Sequence, residues 1–95
     1  VDGGVQRGSD VVKAVAMGAR AVAIGKLQGW GLGANGPDGL VRVLEILEEE
    51  MRIAMGLMGV TSINQLTPFY VTKAEPTTQP HEMSSWTNMP GGRLQ

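Results

Sequence analysis

Two glycine-rich turns near the start of the chain carry the residue types that could do chemistry. The first covers residues 2–8, Asp-Gly-Gly-Val-Gln-Arg-Gly, and the second is Gly25-Lys26, directly after an apolar run. A glycine turn at a strand end that opens a helix exposes backbone N–H groups, which bind anions. Two such turns about one helix apart, with Arg7 and Lys26 beside them, predict a phosphate site between neighbouring strand ends of a β/α barrel.

Two residue types in these turns have a second interpretation that the sequence leaves open. The glycines can serve only to close tight turns, because glycine adopts backbone conformations that other residues avoid. Asp2, at the end of a strand, is placed either to contact a ligand hydroxyl or to cap the turn that follows it.

No catalytic residue and no metal site are predicted in this chain. His81 is the single histidine and stands in a polar stretch, so it is expected to be an exposed bystander. The chain has no cysteine, which excludes disulfides, thiolate zinc sites and cysteine nucleophiles. The run Glu48-Glu49-Glu50 is expected to form a solvated helix face rather than a cation site.

The composition of the chain indicates which kinds of molecule it is not expected to bind. The 95 residues are 42% hydrophobic and 18% charged, with a formal net charge of −1. Without a basic excess we expect no nucleic-acid partner. No stretch approaches the roughly 20 apolar residues of a membrane span, so none is expected. The absence of cysteine fits a reducing compartment, and we expect a cytoplasmic protein.

The first part of the chain predicts one α/β unit. Val1-Asp2 ends a strand, Ser9 caps the helix that follows, and Gly18 terminates that helix. The continuous apolar run of residues 21–24 is typical of a strand buried on both faces in a parallel sheet.

The second part predicts a loop, a long helix and a tail. Residues 25–39 are rich in glycine and are expected to form a loop. A helix is expected to begin at about Pro37, within the end of that loop, and to run to Met58, with Gly59 ending it. A short helix is expected over residues 62–66. Residues 71–95 are polar and rich in proline, which predicts a tail that does not fold alone. Its Met83, Trp86 and Met89 could dock onto a partner surface.

The order of these elements resembles the C-terminal part of the FMN-dependent α-hydroxy acid oxidase and dehydrogenase family. The resemblance covers residues 1 to about 70. It depends on four stretches of sequence: Asp2-Gly3-Gly4-Val5 with Gly8, Asp10 and Lys13, Gly18–Val22 into Ile24-Gly25, Gly31-Leu32, and Val43–Leu47 through Met55–Gly59.

The resemblance implies an α/β fold, namely strands 7–8 and the terminal helices of a (β/α)8 TIM barrel. Residues 1–70 would be this part of an FMN-binding barrel, and residues 71–95 its C-terminal tail. Two strands cannot build a barrel, and the chain starts at Val1 rather than Met, so we expect a downstream piece of a longer polypeptide. A companion chain or missing upstream segment would carry strands 1–6, and the assembled unit would form homotetramers, the tail reaching a neighbouring subunit.

The resemblance also implies FMN as cofactor and oxidation of an L-2-hydroxy acid to a 2-oxo acid, with the catalytic residues in the missing part. The implied cofactor-binding residues are Asp2, Gly3, Gly4, Val5, Gln6, Arg7, Gly25 and Lys26. The family usually has arginine where Gln6 and Lys26 stand, which lowers the positive charge of the site unless Arg7 compensates. Two alternatives remain: another phosphate-binding barrel such as a nucleotide dehydrogenase, and a non-catalytic structural chain of an assembly.

Overall fold

The computed structural model describes residues 1–75, so the predictions made for His81 and for the rest of residues 76–95 lie outside the described residues. Helix α1 spans Gly8–Ala16 and helix α2 spans Lys26–Met58. Two short 3₁₀ turns follow at Ile63–Gln65 and Pro68–Tyr70. None of the helices in residues 1–75 combines the length and the apolar character needed to cross a membrane.

The two predicted strands meet in parallel but form only one bridge. Asp2 pairs with Ala23, and the N–H of Ala23 donates to the carbonyl of Val1 at 2.8 Å. The amino group of Val1 donates to the carbonyl of Ala21 at 2.9 Å. Within residues 1–75 no longer strand forms, since a pair of strands without further neighbours is marginal. The described residues therefore contain one parallel strand contact and not a barrel.

Helix α1 begins earlier than the sequence predicts. The prediction that Ser9 is its N-cap is wrong, because Arg7 takes that position. The Asp10 carboxylate accepts the backbone N–H groups of Gln6 and Arg7, both at 3.0 Å, and so fixes the N-cap two residues before the predicted one. The predicted end is confirmed: Gly18 has φ +108° and follows the last turn of the helix.

Helix α2 is two helical arms joined at a kink. The predicted loop over residues 25–39 is wrong, because residues 26–34 form the first arm. Asn35 and Gly36 leave the helical conformation, and Pro37 then starts the second arm, residues 37–58, close to its predicted start. A Cβ atom on Gly31 would lie 2.9 Å from the carbonyl oxygen of Gly39. This close approach of the arms offsets the low helix propensity of glycine.

The core lies where α1, the second arm of α2 and the following turns meet. Its buried centre is Val12, Ala16, Val60 and Leu66. The partly buried hydrophobic residues around it are Val15, Met51, Ala54, Met55, Met58 and Val71. Met51, Met55 and Met58, at helical spacing on α2, thus pack against this core.

Another face of α2 is apolar and exposed. Ile46, Ile53 and Leu57 recur at intervals of seven and four residues, so they lie on one side of the helix, and 39%, 58% and 86% of their surfaces are exposed. We call these three residues the open α2 face. Exposed apolar side chains grouped on one side of a helix are suited to contact with further protein.

Candidate functional site

The two glycine turns lie at the same edge of the strand pair. Gly4 stands two residues beyond the bridged Asp2, and Gly25 stands two residues beyond the bridged Ala23. Because the strands run parallel, both turns leave the pair in the same direction, and neighbouring strands are about 4.8 Å apart. The structure thus brings together the two turns that the sequence singled out.

The backbone of the first turn is open to an incoming group. Gly3 and Gly4 have φ values of +95° and +78°, a region that residues with a side chain rarely adopt. A Cβ atom on Gly3 would meet nothing within 4 Å, while Val5 is a buried residue, only 6% exposed, and anchors the turn. Among the hydrogen bonds of residues 1–75, none uses the N–H groups of Gly3, Gly4 or Val5. Three successive amides are therefore left without a partner, and those of Gly3 and Gly4 belong to exposed residues.

The next three amides are already satisfied by carboxylates. The N–H groups of Gln6 and Arg7 donate to Asp10, and the N–H of Gly8 donates to Oε1 of Glu50 at 2.8 Å. These two side chains occupy the N-terminus of α1, where the helix dipole favours negative charge. An anion at this edge consequently meets the amides of residues 3–5 rather than those of residues 6–8.

The Arg7 side chain is turned to Glu50. Its Nε lies 2.9 Å and a terminal guanidinium nitrogen 2.8 Å from Oε2 of Glu50. The hydrogen bond and the charge of Glu50 raise the pKa of Arg7. Hydrogen bonds from Arg7 and from the Gly8 amide lower the pKa of Glu50.

Sequence reasoning missed Glu50, because it treated residues 48–50 as one solvated face. A signal was present in the spacing: Glu50 lies three residues after Leu47 and four before Ala54, inside the apolar stripe that packs on α1. A charged residue in such a stripe requires a polar partner, and the partners are Arg7 and Gly8.

The second turn presents the N-terminus of α2. Gly25 is the N-cap without a side-chain hydrogen bond, and the first turn of α2 holds no acidic residue. The first amides of a helix have no partner inside it, and the N-cap Gly25 lies two residues beyond the bridged Ala23, at the same edge as Gly3 and Gly4. Lys26 follows at the first helical position, and Asp2 is exposed beside the turn.

The fold and the site define a β/α unit whose two glycine turns present amides to an anion at one strand edge. The family of FMN-dependent dehydrogenases matches residues 1–73, and the chain belongs to this family. FMN is the cofactor of the family. Its phosphate suits the unpaired amides of Gly3, Gly4 and Val5, so the residues present fit this cofactor.

Three relatives illustrate the similarity. The chain is 48% identical over 66 residues to the 2-hydroxyacid oxidase of Dictyostelium discoideum, covering 70% of this chain and 17% of the relative. It is 53% identical over 68 residues to the pre-mycofactocin synthase of Mycobacterium tuberculosis, covering 72% and 17%. It is 52% identical over 63 residues to the 4-hydroxymandelate oxidase of Amycolatopsis orientalis, covering 66% and 18%. The chain spans less than a fifth of the length of each.

Proposed function

We propose that this chain supplies the FMN phosphate-binding loops of a (β/α)8 oxidoreductase that oxidises an L-2-hydroxy acid, or a related alcohol, to the 2-oxo product. The observation that carries the proposal is the pair of turns at one strand edge, with three successive amides of residues 3–5 unpaired. When bound, FMN supplies the hydride acceptor of the reaction. The protein's task in this chain is to bind and orient it.

Each residue of the two turns has a proposed role. The amides of Gly3, Gly4 and Val5 donate to phosphate oxygens, and the α2 N-terminus at Gly25 adds its amides and the positive end of its dipole. Lys26 adds positive charge at this edge, and Asp2 accepts from a hydroxyl of the ribityl chain. Gln6 and Arg7 close the turn, with their amides held by Asp10.

The relatives support a role in cofactor binding rather than in substrate choice. An oxidase of 2-hydroxy acids, an oxidase of 4-hydroxymandelate and a pre-mycofactocin synthase share 48%, 52% and 53% identity with this chain over 66, 63 and 68 residues. A segment that is equally similar to enzymes with different named activities is suited to what they have in common. The substrate is therefore selected by residues outside this segment.

The proposal includes an assembly. The open α2 face is suited to contacts with the remaining barrel, which a companion chain or upstream segment with strands 1–6 would provide, along with the catalytic residues. We keep the homotetramer and the cytoplasmic location as predictions. The family match favours an FMN enzyme over the nucleotide-dehydrogenase alternative. A non-catalytic structural chain would show neither flavin nor activity in the assembled protein.

The experiment that tests the proposal compares Gly4→Val with Gly18→Val. Both glycines have positive φ, +78° and +108°, so both variants carry similar backbone strain, but only Gly4 lies at the proposed phosphate site. We expect Gly4→Val to lose flavin and Gly18→Val to keep it, measured as FMN released per mole of purified protein after denaturation. Equal flavin content in the two variants would refute the assignment.

A further inference from the structure

Glu50 is the side chain that joins helix α2 to the first glycine turn. One carboxylate oxygen accepts the amide of Gly8 at 2.8 Å, and the other accepts Nε of Arg7 at 2.9 Å. The side chain of Glu50 is 24% exposed. Both carboxylate oxygens of Glu50 thus bind the turn, although Gly8 and Glu50 are 42 residues apart in the sequence.

The neighbouring glutamates on α2 behave differently. Glu48 pairs with Arg52 one helical turn away, at 2.9 Å, and its side chain is 66% exposed. Glu49 is exposed. Of the three consecutive glutamates, Glu50 alone contacts the turn in the part of the chain that the structure describes.

The backbone of Gly8 lies directly against α2 at this point. A Cβ atom on Gly8 would lie 2.5 Å from Cβ of Glu50 and 2.6 Å from the carbonyl oxygen of Leu47. The position of the turn relative to α2 is therefore set by backbone contact, and the Glu50 carboxylate fixes its orientation. Because Glu50 and Asp10 together hold the amides of residues 6–8, the amides left for an anion are those of residues 3–5.

We infer that Glu50 is a positioning residue for the phosphate turn, which holds Arg7 and Gly8 so that the amides of residues 3–5 face the FMN phosphate. The inference rests on the proposed function. In this arrangement the Arg7 guanidinium stabilises the turn by binding Glu50, and it does not contact the phosphate. Glu50 does not contact the phosphate either, because both groups are negatively charged.

The opposite arrangement makes a different prediction for the same variant. If Arg7 bound the phosphate directly, Glu50 would compete with the cofactor for the guanidinium, and Glu50→Gln would tighten FMN binding. If Glu50 positions the turn, Glu50→Gln weakens FMN binding. The sign of the change in affinity decides between them.

The test measures FMN affinity by flavin fluorescence for the protein that carries this chain, as wild type, Glu50→Gln, Arg7→Ala and the double variant. We expect the two single variants to bind FMN about three- to tenfold more weakly, because each loses charge-assisted hydrogen bonds that are partly exposed. The double variant should be no weaker than the weaker single variant, because both changes remove one contact. Glu49→Gln, which removes the same charge from an adjacent exposed position, should leave the affinity unchanged.

A second measurement separates this inference from the proposed function. Hydrogen exchange of the amides of residues 6–8, without flavin, should be faster in Glu50→Gln than in Glu49→Gln at equal helix content by circular dichroism. Unchanged exchange, or FMN binding in Glu50→Gln as tight as in wild type, would overturn the positioning role. A wild-type protein that binds no FMN would overturn the proposed function, while the exchange result would still decide whether Glu50 orders the turn.

Discussion

Asp10 and Glu50 show how two carboxylates determine which backbone groups of a turn face outward. Together they hold the amides of Gln6, Arg7 and Gly8. A turn with all of its amides open would present donors to any anion along its length. With three of them occupied, the available donors are confined to the glycine pair and Val5, at the strand edge that also carries the second turn.

The ionisation of Glu50 predicts a dependence of stability on pH. Its pKa is lowered from the ordinary value of 4.5 by Arg7 and the Gly8 amide. The unfolded chain therefore binds the proton more readily than the folded chain, and the stabilisation is complete above pH 4.5 and lost as pH falls below it. Arg7 stays charged throughout because its pKa is raised.

We expect the difference in unfolding free energy between wild type and Glu50→Gln to be constant near neutral pH and to shrink below pH 4.5. Urea titrations at a series of pH values measure it. Asp10, whose charge also acts on Arg7, is present in both proteins. A difference that grows on acidification would contradict the prediction.

At the scale of elements, the contact of α1 with α2 depends on Gly8, because a residue with a side chain would not fit there. Gly8→Ala would drive a Cβ into Glu50 and into the backbone of Met51, each at 2.5 Å. We expect the folded state to lose about 1–3 kcal/mol, since backbone must shift to accommodate the methyl group. Urea unfolding followed by circular dichroism gives the value.

Gly56→Ala is the matched control for this prediction. Gly56 lies inside α2, and a Cβ there meets nothing within 4 Å. The substitution should stabilise the protein by about 0.5–1 kcal/mol, because alanine has the higher helix propensity. Equal effects of the two substitutions would show that the contact at Gly8 is not tight.

Helix ends were predictable from the sequence where one residue determines them. Gly18 and Gly59 terminate α1 and α2 with positive φ, and Pro37 starts the second arm of α2. The first arm, residues 26–34, was not predictable, because its glycine content favours a loop and only the contact of Gly31 with Gly39 reverses that preference.

The location of the candidate site was predictable from the sequence, but the hydrogen bonds that hold it were not. The turns at Gly4 and Gly25 follow from local sequence, because each marks the end of an apolar run. The role of Glu50 depends on how α2 packs against α1, a contact across 42 residues that no local pattern specifies. The strand contact is a single bridge in residues 1–75, because a pair of strands without further neighbours is marginal.

At the scale of the whole molecule, the open α2 face predicts a larger assembly. We expect denaturing liquid chromatography with mass spectrometry on the purified protein to detect released FMN together with further polypeptide of about 250–300 residues, the typical size of such a barrel. That polypeptide would appear either as a second chain or as one larger mass that includes this sequence. A mass equal to this chain alone, without flavin, would contradict the proposed assembly.

The kinked helix also has a consequence for the order of folding. The two arms of α2 meet at Gly31 and Gly39, which are close in sequence, whereas the Glu50–Gly8 contact closes a loop of 42 residues. Longer loops cost more entropy to close and form more slowly. We expect the amides of the two arms of α2 to gain protection from hydrogen exchange before the amides of residues 6–8 in pulse-labelling experiments. The ability to hold a phosphate would then be acquired late, by a chain whose helices are already formed.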